Sequence, residues 1–259
     1  MFLKIYKHAF LRSLKTGIIL GVISLASALF AGILYKVLLG LEKQDEMAVS
    51  ILMSASGILY FVANVAVFLQ FALAINDFRK AVATDEAYLT YTLPASDKEQ
   101  FWARYLALFT WLAIALVLSN LVNYMYFVII GDTNAKLWVL YLFTKIRKFE
   151  DFIICIEIVL AIAVVCASIV ASFMSSILQF QALGARFNDK LAVFIMAGIY
   201  FVETFVFFVI FIFMLVITLN TGNTGLHVWI WSIIAYFGAI GGLNMFFSRK
   251  IMGRWLNLV

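Results

Sequence analysis

The side chains that could perform chemistry in this sequence are few, and their spacing does not form a catalytic or metal-binding set. The two histidines, His8 and His227, lie near opposite ends of the chain, without the local pairing that a histidine metal site normally shows. The two cysteines, Cys155 and Cys166, share one apolar run, where their spacing corresponds to about 16 Å of helix, beyond disulfide reach. We therefore expect no metal centre, no disulfide and no catalytic residue.

The composition requires lipid as the solvent for most of the chain. Hydrophobic residues make up 65% of the sequence and charged residues only 13%, whereas a soluble domain has about 25% charged residues. Backbone groups in lipid must be paired internally, which leaves helices or closed barrels. Barrels are built from short alternating segments, but this chain has long continuous apolar runs and a single proline. The composition therefore predicts an all-α integral membrane protein.

A bilayer core of ~30 Å needs about 20 apolar residues per helix. The sequence contains six such runs, and we expect them to form one transmembrane domain over residues 1–259. The predicted spans are Ile18–Leu39, Ala48–Ile75, Trp102–Ile130, Phe152–Leu183, Leu191–Leu219 and Leu226–Phe247.

The distribution of Lys and Arg predicts that both termini are cytoplasmic. Most of the 19 Lys and Arg residues lie beside span ends on the same side of the membrane as the N-terminus. The positive-inside rule places that side in the cytoplasm. The basic part of the predicted outer segment 136–148, with Lys145, Arg147 and Lys148, is an exception. This segment suits an interfacial helix with its aromatic residues at headgroup level, or alternatively a gate over an exit path.

Residues 1–15 are amphipathic, with the cations on one arc and the apolar residues on the remainder. This pattern predicts a helix lying in the cytoplasmic interface, with its cations facing anionic headgroups. Alternatively, these residues are the positive flank of the first span.

The longest polar stretch, Asn76–Gln100, separates the second and third predicted spans on the cytoplasmic side. Within it, Thr84–Pro94 predicts a short helix, because acidic residues favour a helix N-terminus and Pro94 disfavours helical geometry in the residue before it. Ser96 and Glu99 then have the spacing of a capping box that starts the third span. The exposed aromatic residues suit either a docking surface or a loop that faces lipid headgroups.

The stretch Asp85–Ser96, DEAYLTYTLPAS, resembles a motif of bacterial type-2 ATP-binding-cassette (ABC) permeases, the six-span membrane subunits of exporters. In that family the motif lies between the second and third spans and forms the coupling helix that docks on the ATPase subunit. Ala87 stands where that family often has glycine. The resemblance and the predicted helix together assign docking to Thr84, Asp85, Glu86, Tyr88, Leu89, Tyr91, Leu93 and Pro94.

The resemblance implies a set of partners and a location. The chain has no G-x-x-x-x-G-K-[ST] phosphate loop, so ATP and Mg would be bound by a separate ABC ATPase subunit, and this chain would bind no cofactor and catalyse no reaction. A second permease subunit, identical or related, would complete the complex in a bacterial plasma membrane, in contact with lipid and with no nucleic acid. The implied cargo is an antimicrobial peptide, a drug or a lipid-like amphipathic molecule.

Polar residues within the spans are candidates for a transport path. Glu203 is predicted near the middle of the fifth span, where ionisable groups face the bundle interior or a wet cavity. The amides Asn64, Asn120 and Asn123 are further path candidates, but all four residues could equally hold helices together through hydrogen bonds. Glu157 is expected to reach water near the outer face, and His227 to contact headgroups.

Two other functions fit the sequence. A non-transporting membrane scaffold or immunity protein would bind a peptide or partner without ATP-dependent flux. A proton-coupled transporter would use Glu203, although few other ionisable residues lie within the spans.

Overall fold

The computed structural model describes residues 1–41, 46–83, 96–131, 146, 149–186, 189–221 and 223–255. In these ranges the regular structure is helical: α1 (Phe2–Arg12), α2 (Leu14–Leu41), α3 (Glu46–Ala83), α4 (Asp97–Ile130), α5 (Phe149–Arg186), α6 (Asp189–Thr221) and α7 (Asn223–Trp255). Six of them, α2 to α7, contain segments long and apolar enough to cross a membrane. The chain is therefore an all-α membrane protein, which confirms the predicted fold class. The single domain over residues 1–259 stays a prediction.

The predicted amphipathic N-terminal helix is present as α1. It ends at Arg12, before the predicted limit at residue 15, and α2 begins at Leu14. On α1, Ile5 is buried while Leu3 is 72% exposed, so the helix has one packed and one open face. Its placement in the membrane interface stays a prediction.

The polar stretch Asn76–Gln100 is helical at both ends, since α3 continues to Ala83 and α4 begins at Asp97, directly after Ser96 of the predicted capping box. The helix persists beyond the predicted span because Phe78 and Val82, one turn apart, are both buried and continue the apolar face of α3. The polar connection between the two helices is therefore shorter than the sequence suggested.

The chain divides into two compact units. We call His8–Asp77 with Thr110–Lys145 the N-terminal unit, and Met1–Lys7 with Phe78–Phe109 and Ile146–Val259 the C-terminal unit.

In the N-terminal unit, small residues let the helices approach closely. The Ser56 hydroxyl of α3 donates a hydrogen bond to the Ala31 carbonyl of α2 at 2.9 Å. A Cβ atom at Gly17 would lie 2.4 Å from the Trp111 ring, and one at Gly32 would lie 3.0 Å from Ile129. Both contacts join α2 to α4. The contact that comes later in α2 also comes later in α4, so the two helices run parallel.

In the C-terminal unit, α5 and α7 are paired along their length. In the side-chain hydrogen bonds that join these two helices, the partners are 70 to 74 residues apart in sequence. This near-constant separation means that α5 and α7 are parallel, and the intervening α6 must run in the opposite direction. The two backbones approach closely at Gly241, where a Cβ atom would lie 3.1 Å from the Ser168 Cα.

The outward side of α6 shows the apolar exposure that lipid contact requires. Phe194, Phe201 and Phe205 are 77%, 72% and 61% exposed, and the rings of Phe201 and Phe205 are stacked. The polar residue Glu203 lies between them in sequence and belongs to the opposite face, which packs against α5 and α7.

Candidate functional site

The eight residues of the predicted docking helix, Thr84, Asp85, Glu86, Tyr88, Leu89, Tyr91, Leu93 and Pro94, lie outside the described residues. The predicted basic segment 136–148 is also outside them, apart from Ile146. The structure does describe the helix ends that flank the docking segment, in the C-terminal unit.

The helix end that follows the docking segment is closed by the predicted capping box, which the structure confirms. The Ser96 backbone N–H donates to Glu99 Oε2 at 3.2 Å, and the Glu99 backbone N–H donates to Ser96 Oγ at 3.3 Å. These reciprocal bonds satisfy two backbone donors that the start of a helix otherwise leaves unpaired. The first turn of α4 is thereby fixed directly after residue 95.

The end of α3 is held against α4 by a buried arginine. Arg104 of α4 is only 6% exposed, and its Nη1 donates to the Ala81 carbonyl at 3.5 Å. The last carbonyls of a helix have no intrahelical donor, so Arg104 supplies one. The two helix ends that flank the docking segment are therefore joined by a side-chain contact.

The predicted path amides of the N-terminal unit separate into two groups. The Tyr60 hydroxyl of α3 donates to Asn123 Oδ1 of α4, and Asn64 donates to the Tyr60 carbonyl at 2.9 Å. Asn120 instead donates to the Leu116 carbonyl of its own helix at 2.9 Å. The structure thus brings Asn64 and Asn123 together around Tyr60, whereas the Asn120 amide bonds within its own helix.

Tyrosine rings complete this cluster, and the sequence analysis did not single them out. The centroid of the Tyr126 ring lies 4.4 Å from that of Tyr60 and 6.3 Å from that of Tyr35. These rings come from α2, α3 and α4, and each presents a hydroxyl beside an apolar surface. The position of Tyr35 and Tyr126 near the predicted outer ends of the first and third spans was the available signal.

The fourth path candidate, Glu203, lies in the C-terminal unit within a separate polar cluster. Asn244 of α7 is a side-chain hydrogen-bond partner of the Glu203 carboxyl, and Asn244 Nδ2 also donates to Ser172 Oγ of α5 at 3.0 Å. The Tyr236 hydroxyl donates to the Glu203 main-chain carbonyl at 2.8 Å, and the Tyr200 hydroxyl to the Ser172 carbonyl at 3.4 Å. Three helices therefore meet around this carboxyl group.

The expectation that Glu157 reaches water is wrong, whereas the headgroup contact expected of His227 stays a prediction. Glu157 is only 8% exposed, and its Oε2 lies 2.7 Å from His227 Nδ1, while Trp231 Nε1 donates to its Oε1 at 3.0 Å. Glu157 does not reach water alone, because α7 runs parallel to α5 and supplies both partners. His227 is therefore an interhelical partner of Glu157.

A third charged group, on the cytoplasmic side in the predicted topology, was missed because Asp77 had been assigned to the polar connection. In the N-terminal unit, the Ser13 hydroxyl donates to Asp77 Oδ2. Arg12 Nε lies 3.6 Å from Asp77 Oδ1. These contacts attach the junction between α1 and α2 to α3.

No group of three or more His, Cys, Asp or Glu side chains is arranged to hold a metal ion within the described ranges. Comparison of the chain with protein-family models, with curated proteins and with solved structures found no match in any of the three.

Proposed function

We propose that this chain is the membrane-spanning permease subunit of an ATP-driven ABC exporter in a bacterial plasma membrane. The observation that carries the proposal is the DEAYLTYTLPAS motif, which lies in the connection between α3 and α4. ATP and Mg belong to a separate ATPase subunit, and a second permease subunit, identical or related, encloses the path with this one. The chain itself performs no chemistry.

The ends of α3 and α4 support this role. A docking segment can transmit force only if the helix ends on either side are held to each other and move with it. Arg104 joins α4 to the Ala81 carbonyl of α3, and the Ser96–Glu99 capping box fixes the first turn of α4. A displacement of the connection would therefore move both helix ends together.

The lengths of these helices also support the proposal. α3 has 38 residues and α4 has 34, which correspond to about 57 Å and 51 Å at 1.5 Å per residue. Both exceed the ~30 Å hydrocarbon core, so each can extend beyond the membrane towards a cytoplasmic partner. Closure of an ATPase pair on ATP binding would push the connection, and the two helices would carry the movement into the membrane.

The experiment that tests the proposal measures ATPase docking directly. A photo-crosslinking amino acid is placed at position 88 of the tagged chain in membranes of its own host, and complexes are labelled with 8-azido-ATP. We expect a crosslinked product that contains an ATP-binding polypeptide, together with ATPase activity that co-purifies with the chain. The same crosslinker at Phe201, a 72% exposed position on α6, should give no such product.

Paired variants separate docking from folding. Tyr88→Asp combined with Leu89→Asp should abolish the co-purifying ATPase activity, because buried aromatic and aliphatic anchors dominate interface affinity. Tyr88→Phe combined with Leu89→Ile retains the apolar anchors and should retain that activity. ATPase activity unchanged by the aspartate pair, or no ATP-binding partner in native membranes, would contradict the proposal and favour a scaffold or immunity protein.

A further inference from the structure

The cluster around Glu203 contains an acidic group at a depth where an unpaired charge is costly. α6 begins at Asp189, so Glu203 lies about 21 Å along the helix, and it faces α5 and α7 through Asn244 and Ser172. Ionised groups removed from water require a partner of opposite charge or a full set of hydrogen bonds. Among the described residues, the Glu203 carboxyl has a single side-chain hydrogen-bond partner, Asn244.

The three helices provide no positive charge at this level. The basic residues of α5 and α6 lie at the helix ends, at Arg186 and Lys190, and those of α7 begin at Arg249. Lys250 is placed 5.8 Å from the centroid of the Phe246 ring. Among the described residues, no ion pair involving Glu203 is formed.

The remaining groups of the cluster suit an organic cation. The hydroxyl oxygen of Ser172 can accept a hydrogen bond from an ammonium or guanidinium group. Tyr200 and Tyr236 lie within electrostatic range of the Glu203 carboxylate, and aromatic rings attract cations through their faces. The surrounding helices are apolar, so the body of such a ligand would contact hydrocarbon surface.

We propose that Glu203, together with Asn244, Ser172, Tyr200 and Tyr236, forms an intramembrane binding site for the cationic group of an amphipathic ligand. The ligand's ammonium or guanidinium group supplies the positive charge that the three helices lack, and its apolar part lies along them. That this ligand is the transported cargo rests on the proposed exporter function. The binding itself does not, and it is tested without an ATPase.

The test uses the purified full chain in nanodiscs of phosphatidylcholine, a lipid without net charge. The probe is monodansylcadaverine, a fluorescent primary amine, and its N-acetyl derivative is the neutral counterpart. We expect saturable binding of the amine, detected by fluorescence anisotropy, and at least roughly tenfold weaker binding of the acetylated probe, because a carboxylate within a membrane discriminates strongly between a cation and a neutral group.

Substitutions of Glu203 test whether its carboxylate binds the amine. Glu203→Gln should weaken amine binding at least roughly tenfold and leave binding of the acetylated probe unchanged, since only the charge interaction is removed. Glu203→Asp, which keeps the charge on a shorter side chain, should give intermediate affinity. Glu99→Gln removes a carboxylate whose side chain is 40% exposed and should change affinity less than twofold.

Equal affinity of the wild-type chain for the amine and its acetylated form would overturn the proposal even if Glu203→Gln failed to fold. Equal amine affinity in the wild type and Glu203→Gln would also overturn it, and would leave Glu203 as a packing or proton-binding residue. Neither result affects the crosslinking test of ATPase docking. A cation site without an ATPase partner would retain this inference and reject the exporter.

Discussion

Glu157 and Glu203 are both carboxyl groups within membrane-spanning helices, but their partners differ. Glu157 has a nitrogen donor at each carboxylate oxygen, from His227 and Trp231. Within the described part of the chain, Glu203 has one side-chain hydrogen-bond partner, the amide of Asn244. A fully bonded carboxylate fixes the helices that surround it, whereas a carboxylate with remaining acceptor capacity can receive a ligand. We therefore assign a structural role to Glu157 and a binding role to Glu203.

Replacing Glu157 tests the structural role. Glu157→Leu removes both acceptors and leaves His227 Nδ1 and Trp231 Nε1 without their partner, which should destabilise the chain by about 1–3 kcal/mol or more. The measurement is the midpoint of thermal unfolding of the purified chain in nanodiscs. His227→Ala in the Glu157→Leu background should cost less than in the wild type, since the interaction is already lost.

Ser232→Ala is a suitable control, because the Ser232 hydroxyl is exposed and bonds only to the Val228 carbonyl of its own helix. It should shift the unfolding midpoint little. A Glu157→Leu midpoint equal to that of Ser232→Ala would show that the contacts of Glu157 contribute nothing to stability.

At the scale of the helix, close packing of α5 on α7 depends on a residue without a side chain. A Cβ atom at Gly241 would lie 3.1 Å from the Ser168 Cα and 3.2 Å from its Cβ, so the backbone itself would have to move. Small residues at such crossings allow membrane helices to approach closely. The neighbouring Gly242 has no atom within 4 Å of the equivalent position.

These adjacent glycines form a matched pair for mutagenesis. Gly241→Ala should destabilise the C-terminal unit by about 1–3 kcal/mol through overpacking. Gly242→Ala should be neutral or slightly stabilising, because alanine is the better helix former. The free energy of unfolding in mixed micelles measures both. Equal effects of the two substitutions would show that α5 and α7 do not approach as closely as the structure indicates.

The existence of the helices could be predicted from the sequence, but which helices pack against each other could not. Apolar runs of about 20 residues fix the existence of a span, which is why all six were found. The extension of α3 from Ile75 to Ala83 could not be read from the apolar run, because charged residues from Asp77 to Lys80 obscured the buried Phe78 and Val82. The contacts of Glu157 depend on which helices are neighbours, and a single sequence of uniformly apolar spans contains little information about that choice.

For the whole molecule, six spans and the distribution of Lys and Arg predict that both termini are cytoplasmic. In a chain with Cys155 and Cys166 replaced by alanine, Gly40→Cys at the end of α2 should react with a membrane-impermeant maleimide added to intact cells. Lys250→Cys near the end of α7 should react only after permeabilisation. Both positions are exposed, so access depends on the side of the membrane. The reverse pattern would invert the topology, and labelling of both from outside would require an even number of crossings between them.

The parallel arrangement of α5 and α7 has an electrostatic consequence. A helix has a partial positive charge at its N-terminus, which nearby anionic groups stabilise. The first turn of α7 contains no acidic residue, but Glu157 of α5 is bonded to His227, close to where α7 begins at Asn223. The neighbouring helix therefore supplies the anion that the α7 macrodipole needs, worth about 0.3–1 kcal/mol at an exposed site and more where water is excluded. An antiparallel α7 would present its negative end to the same carboxylate, so this one contact disfavours the reversed helix orientation.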